Sequence, residues 1–145
     1  MPEQTPNKDL SRFTEAQRHS YQQALSELRD GRKETHWMWF IFPQLAGLGH
    51  SSTARYYALT NLDEARAYLA DPLLGARLLE CTEAVLRLSG KSATDIFGGI
   101  DAMKFRSSLT LFAMASGSDS LFRQALDRYF EGEMDTRTLE LLECT

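Results

Sequence analysis

Two clusters of side chains in this sequence could bind or transform a small molecule, and the first lies in residues 35–59. This segment contains both tryptophans, two of the three histidines and the run GLGHSS. Gly47 and Gly49 would let the backbone approach a ligand closely. Ser51 stands at the predicted start of a helix. The free N–H groups and the dipole of a helix start favour an anion. The pattern predicts a phosphate or carboxylate site.

The residues around this turn would complete such a site. His50 and Arg55 would form charge-assisted hydrogen bonds with the anion, and Trp37, Trp39 or Tyr56 could stack on a ring. The ligand that this combination implies is a phosphorylated, ring-bearing metabolite such as a nucleotide.

Simpler explanations remain open for the same residues. Helix capping accounts for Ser51, and burial in the core accounts for the aromatic residues. The glycine run lacks both the third glycine of a dinucleotide fingerprint and the lysine of a P-loop.

The second cluster lies in residues 95–112. Asp101, Lys104 and Ser108 are spaced i, i+3 and i+7 and would share one face of a helix. Lys104 could hold an anion, and Asp101 could act as a base or orient a sugar hydroxyl. His36 is the candidate acid or base of the first cluster. The alternatives are a solvated Asp101–Lys104 ion pair and a His36 bonded to a backbone carbonyl.

Composition narrows the classes of function. The chain has 145 residues and a net charge of −4, which disfavours general binding to nucleic acid. It shows no export signal and no stretch long enough for a membrane span, so we expect a cytoplasmic protein. Cys81 and Cys144 are too few for a disulfide scaffold, and the Cys and His spacing predicts no metal site. We expect no cofactor and a monomer or weak homo-oligomer.

The hydrophobic periodicity predicts an all-α fold with about seven helices. Residues 1–9 are polar and are predicted to be a flexible lead-in, and residues 10–145 to form one helical domain. Apolar residues recur at helical spacing in seven segments: 11–30, 52–59, 62–70, 72–90, 101–116, 118–130 and 136–143. Residues 37–42 are six apolar residues in a row without a possible sheet partner, so we expect a buried irregular segment.

Three blocks in this order resemble a known bacterial family, the domain-of-unknown-function 1810 family, whose members are often labelled calpastatin. The blocks are HWMWFIFPQLAGLGHSSTARYYAL, DPLLGARLLE and DIFGGIDAMKFRSSLTLF, and the resemblance runs from about Phe13 to Leu142. It implies a single all-α domain and no particular activity. The calpastatin label does not fit, because those inhibitors are disordered repeat proteins. Asp71 stands where the family more often has histidine.

Two functional hypotheses follow from these residues. In the first, the protein binds or hydrolyses a nucleotide-type or ribosyl-phosphate molecule, and the helical layout is similar to that of helical N-glycosidases acting on ribosyl phosphates. In the second, residues 37–42 form an exposed aromatic patch of a protein-interaction module without catalysis.

Overall fold

The computed structural model describes residues 10–117 and 119–143, and this part of the chain forms ten helices and no strand. The predicted lead-in of residues 1–9 and the terminal Cys144 lie outside the described residues. The all-α class is confirmed. The helices are α1 (Ser11–Arg18), α2 (Tyr21–Asp30), α3 (Met38–Ile41), α4 (Ser52–Tyr57), α5 (Leu62–Ala70), α6 (Pro72–Leu86), α7 (Ala93–Phe97), α8 (Gly99–Ser116), α9 (Leu121–Phe130) and α10 (Thr136–Glu143).

The expected number of about seven helices is wrong for this part of the chain, for two reasons. The segment 11–30 breaks at His19 and Ser20, because α1 packs mainly against α3 and α6 whereas α2 packs mainly against α6. The hydrophobic periodicity also missed the short helices α3 and α7, because it can be recognised only over several helical turns. Leu10, and not Ser11, occupies the N-cap position of α1, and it makes no side-chain cap.

Most other helix ends follow the local sequence. Gly31 ends α2 in the left-handed conformation, with φ of 79°. The Asn61 side chain accepts a hydrogen bond from the Glu64 amide at the start of α5. Pro72 occupies the first turn of α6, where Asp71 caps the Leu74 amide. Helices α5 and α10 have the predicted bounds.

Helix α8 runs through the centre of the domain. It packs against α3, α5, α7, α9 and α10, and its residues from 107 to 113 are all buried. The Phe105 ring lies 4.9 Å from that of Phe42 and 4.5 Å from that of Phe97, measured between centroids. Burying one such ring contributes roughly 2–3 kcal/mol. The candidate residues of the second cluster therefore stand on the best-supported helix of the fold.

The aromatic segment 37–42 enters the core as the short helix α3. Trp37 and Phe42 are each 1% exposed, and Trp39 is the only member that is half-buried. The expectation of an exposed aromatic patch for an interaction module is therefore wrong, because burying these rings in the core is more favourable than leaving them in contact with water. Phe42 packs against Phe105 of α8, and Trp39 also lies against α8, beneath the Lys104 ammonium.

Candidate functional site

The two clusters found in the sequence meet at an ion-paired array between the loop after α2 and the first turns of α8. The Lys33 ammonium lies 2.9 Å from the Asp101 carboxylate, and Lys104 lies 3.6 Å from its other oxygen. Lys33 stands 5.0 Å above the Trp37 ring, and Lys104 stands 4.8 Å above the Trp39 ring. Trp37, Trp39, Asp101 and Lys104 are thus brought together, and Lys33 joins them.

The array becomes more exposed from Lys33 to Lys104. The side chain of Lys33 is 8% exposed, that of Asp101 21% and that of Lys104 26%. Lys33 also donates a hydrogen bond of 2.7 Å to the Thr35 carbonyl oxygen. Asp101 therefore pairs mainly with Lys33, and Lys104 is the less compensated and more accessible cation.

Glu27 holds the loop that presents Lys33 and Trp37. One carboxylate oxygen accepts hydrogen bonds from the Glu34 amide (2.7 Å), the Thr35 amide (3.0 Å) and the Trp37 indole (2.9 Å). The other oxygen accepts from the Thr35 hydroxyl (2.6 Å) and the Gln23 side-chain amide (2.9 Å). Burial alone would raise the pKa of Glu27, but these hydrogen bonds lower it to about 2.

Sequence reasoning missed Glu27 and Lys33. Glu27 is adjacent to Leu28 and three residues from Ala24, so a charged residue interrupts the buried stripe of α2. That interruption could have marked Glu27 as a structural acid, since buried charges need partners. No comparable pattern marks Lys33, because its partner Asp101 is remote in sequence.

The glycine turn lies beside Trp39 and is tightly packed. A Cβ atom at Gly49 would lie only 2.6 Å from the Ala54 Cβ, and one at Gly47 would lie 3.2 Å from Leu141. A cavity of about 10 Å³ remains here, lined by Trp39, Gln44, Leu45, Gly49, Ala54, Tyr57 and Ala58. Both glycines therefore serve the close approach of chain segments in this structure.

The remaining residues of the first cluster lie at the surface, four of them in α4 or just before it and His36 in the loop before α3. Ser51 caps this helix by accepting a hydrogen bond of 3.1 Å from the Ala54 amide. His36, His50 and Arg55 are exposed, and Tyr56 is 55% exposed. None of these five residues lines the small cavity beside Trp39 or contacts the ion-paired array through a described hydrogen bond or ion pair. Their predicted roles in anion binding and proton transfer stay predictions.

Ser108 continues the Asp101–Lys104 face into the interior. It is 1% exposed, and its hydroxyl is the buried side-chain oxygen without a hydrogen-bond partner in the described part of the chain. The other hydroxyls of α8 bond back to the carbonyl four residues earlier: Ser107 at 3.1 Å, Thr110 at 2.8 Å and Ser116 at 2.6 Å. Ser108 therefore departs from a pattern that its neighbours follow.

Two larger cavities lie elsewhere and contain no predicted site residue. One of about 530 Å³ is bounded by α5, α8 and α10, with Leu62, Arg66, Met114 and Leu139 among its walls. Another of about 450 Å³ lies between α2 and α6, where Arg29 pairs with Glu80. No group of three or more metal-ligating side chains occurs within residues 10–117 and 119–143.

Cys81 is buried in the core, as its place on the apolar stripe of α6 predicts. Burial raises the pKa of its thiol to about 12. The thiolate that a nucleophilic cysteine needs is therefore disfavoured near neutral pH. None of the helices that the structure describes is both long and apolar enough to traverse a bilayer.

Comparison with known proteins gives a consistent result for the fold and family. The structure is similar to the crystal structure of the conserved hypothetical protein Rv1873 from Mycobacterium tuberculosis, with a TM-score of 0.92 and 49% sequence identity. The similarity covers 94% of this chain and 98% of the mycobacterial chain. No curated protein matches the sequence. Residues 7–142 match the model of a family described as a protein of unknown function, DUF1810, and the chain therefore belongs to that family.

Proposed function

We propose that the protein binds a phosphorylated, ring-bearing small molecule of nucleotide or ribosyl-phosphate type beside Trp39. The observation that carries the proposal is the array of Lys33, Asp101 and Lys104 against the two tryptophans. It joins cations, a carboxylate and an aromatic ring on one surface, and these are the groups that such a ligand requires.

Each group in the array has a distinct part in binding. Lys104 is the accessible cation and meets the phosphate, with Lys33 behind it. Asp101 accepts a hydrogen bond from a sugar hydroxyl while it keeps its pairing with Lys33. Trp39, half-buried, offers an aromatic surface to the ring of the ligand.

The geometry favours binding over N-glycoside hydrolysis. A ribosyl cation forms in the transition state of that reaction, and a nearby carboxylate would have to stabilise it. Asp101 is already compensated by ammonium groups at 2.9 and 3.6 Å. Hydrolysis would require Asp101 to leave both lysines, whereas binding leaves its closer pair with Lys33 in place.

The direct test is a titration with AMP, ribose 5-phosphate and NAD, followed by tryptophan fluorescence and calorimetry. We expect saturable binding, and we expect Lys104→Gln to weaken it about fivefold or more, because a charge-assisted bond to phosphate is lost. Release of adenine from AMP or of nicotinamide from NAD would instead support the N-glycosidase hypothesis.

A matched control is available on α10. Arg137 forms an exposed i, i+3 ion pair with Glu140, as Lys104 does with Asp101, so Arg137→Gln removes a similar charge away from Trp39. This variant should bind all three probes as the parent does. The proposal fails if none of the probes binds at about 10 mM, or if both variants alter binding equally.

A further inference from the structure

We infer that the Lys104 side chain is a displaceable cover on Trp39, and that the ligand's aromatic ring replaces it there and hydrogen-bonds to Ser108. This inference rests on the proposed function and narrows its ligand class to molecules with a planar ring that carries hydrogen-bonding atoms at its edge, such as a nucleobase. Lys104 would then move from the ring face to the phosphate of the same ligand.

Lys104 now occupies the position that a stacked ring would need. Its ammonium lies 4.8 Å from the centroid of the Trp39 ring. The glycine turn also packs against Trp39, and only about 10 Å³ is open between them. A ring that stacks on the part of Trp39 under Lys104 must therefore take the place of Lys104.

The contacts that hold the Lys104 side chain in place are weak. Its contact with Asp101 is an i, i+3 pair at 3.6 Å, and Asp101 keeps the closer Lys33 at 2.9 Å. Partly exposed ion pairs and cation–π contacts are each worth about 1 kcal/mol or less. A ligand phosphate can replace both contacts, because it offers Lys104 a stronger charge-assisted bond.

Ser108 supplies an independent indication of a ligand. It lies one helical turn beyond Lys104 on the same face of α8, and helical side chains lean toward the N-terminus, here toward Lys104. Its buried hydroxyl makes no hydrogen bond within the described residues. Buried hydroxyls normally have partners, so the polar edge of a ring seated beside Lys104 would satisfy this one.

The first experiment needs no ligand and measures acrylamide quenching of tryptophan fluorescence, with Trp39→Phe identifying the contribution of Trp39. Lys104→Ala should increase the quenching of Trp39 about twofold, because it uncovers the ring. Lys104→Met keeps a long side chain over the ring and should leave the quenching near the parental value. Equal quenching in the parent and Lys104→Ala would overturn the inference that Lys104 covers Trp39.

The second experiment compares adenosine with AMP, which share the ring and differ in the phosphate. Lys104→Ala should bind adenosine about threefold more tightly than the parent and AMP more weakly, because the cover and the phosphate contact are lost together. Ser108→Ala should weaken both probes about fivefold. Unchanged binding in Ser108→Ala would overturn the interior contact.

The two failures are distinguishable. If no probe binds the parent protein but Lys104→Ala still uncovers Trp39, the proposed function fails and the ligand half of the inference fails with it. If AMP binds and Lys104→Ala weakens adenosine and AMP by the same factor, the binding function stands and the displacement of Lys104 is refuted.

Discussion

Replacing Glu27 by glutamine tests the scaffold of the candidate site most directly. The substitution keeps the size of the side chain but removes its charge. The glutamine oxygen can still accept hydrogen bonds from the Trp37 indole and the loop amides. The new amide group would face two donors, the Thr35 hydroxyl and the Gln23 side chain. The Thr35 hydroxyl can rotate, but the Gln23 amide must move.

The size of the effect follows from proton affinity. The hydrogen bonds lower the pKa of Glu27 from its ordinary 4.5 to about 2. Each tenfold change in proton affinity is worth about 1.4 kcal/mol, so the ionised carboxylate stabilises the fold by about 3 kcal/mol. Because the pKa is lower in the folded protein, this stability is fully present above pH 4.5 and is lost as the pH falls toward 2.

The assay is urea unfolding of the parent and Glu27→Gln between pH 7 and pH 3. We expect Glu27→Gln to lose about 3 kcal/mol at pH 7, and we expect the difference to shrink at acid pH, because Glu27 takes up a proton below about pH 4.5 in the unfolded parent but only near pH 2 in the folded parent. Glu140→Gln is the control, because Glu140 belongs to an exposed ion pair and should cost less than about 0.5 kcal/mol. A loss below about 1 kcal/mol in Glu27→Gln, or a constant difference across pH, would refute this account of the loop.

Four further substitutions have expected outcomes in thermal or urea unfolding. Gly75→Ala should lower the free energy of unfolding by more than about 2 kcal/mol, because its Cβ would lie 2.1 Å from the Leu69 carbonyl oxygen. Gly99→Ala adds a Cβ with nothing within 4 Å, and it should leave the free energy of unfolding unchanged or raise it. Ser92→Ala removes the capping box of α7 and should cost about 1 kcal/mol; an unchanged midpoint would contradict that role. Trp37→Phe deletes the indole donor to Glu27 and should cost about 1–3 kcal/mol, which a near-parental stability would disprove.

The extent to which the fold could be predicted depends on whether a feature is local. Helices α5 and α10 were predicted with their observed bounds, because their caps and apolar spacing lie within the segments themselves. The break between α1 and α2 was not predicted, since it depends on contacts with remote helices. Gln17 illustrates this: its side chain bonds the Phe40 carbonyl and the Tyr68 hydroxyl, which are 23 and 51 residues away.

The same distinction applies to the candidate site. Asp101 and Lys104 were placed on one helix face by their spacing, and Trp39 was singled out by composition. Their meeting through Lys33 depends on tertiary contacts that no local pattern contains. The glycine turn was expected to leave room for a ligand. The close contact between Gly49 and Ala54 shows that helix α4 occupies this room.

The position of Asp101, Lys104 and Ser108 on the central helix links the site to the cooperative unfolding of the whole domain. A surface loop can lose its shape while the rest of a protein stays folded, but α8 is packed against five other helices and has no such independence. On heating, the site should therefore keep its geometry until the domain melts as a unit. Variants that only lower the melting temperature should leave affinity at moderate temperature unchanged.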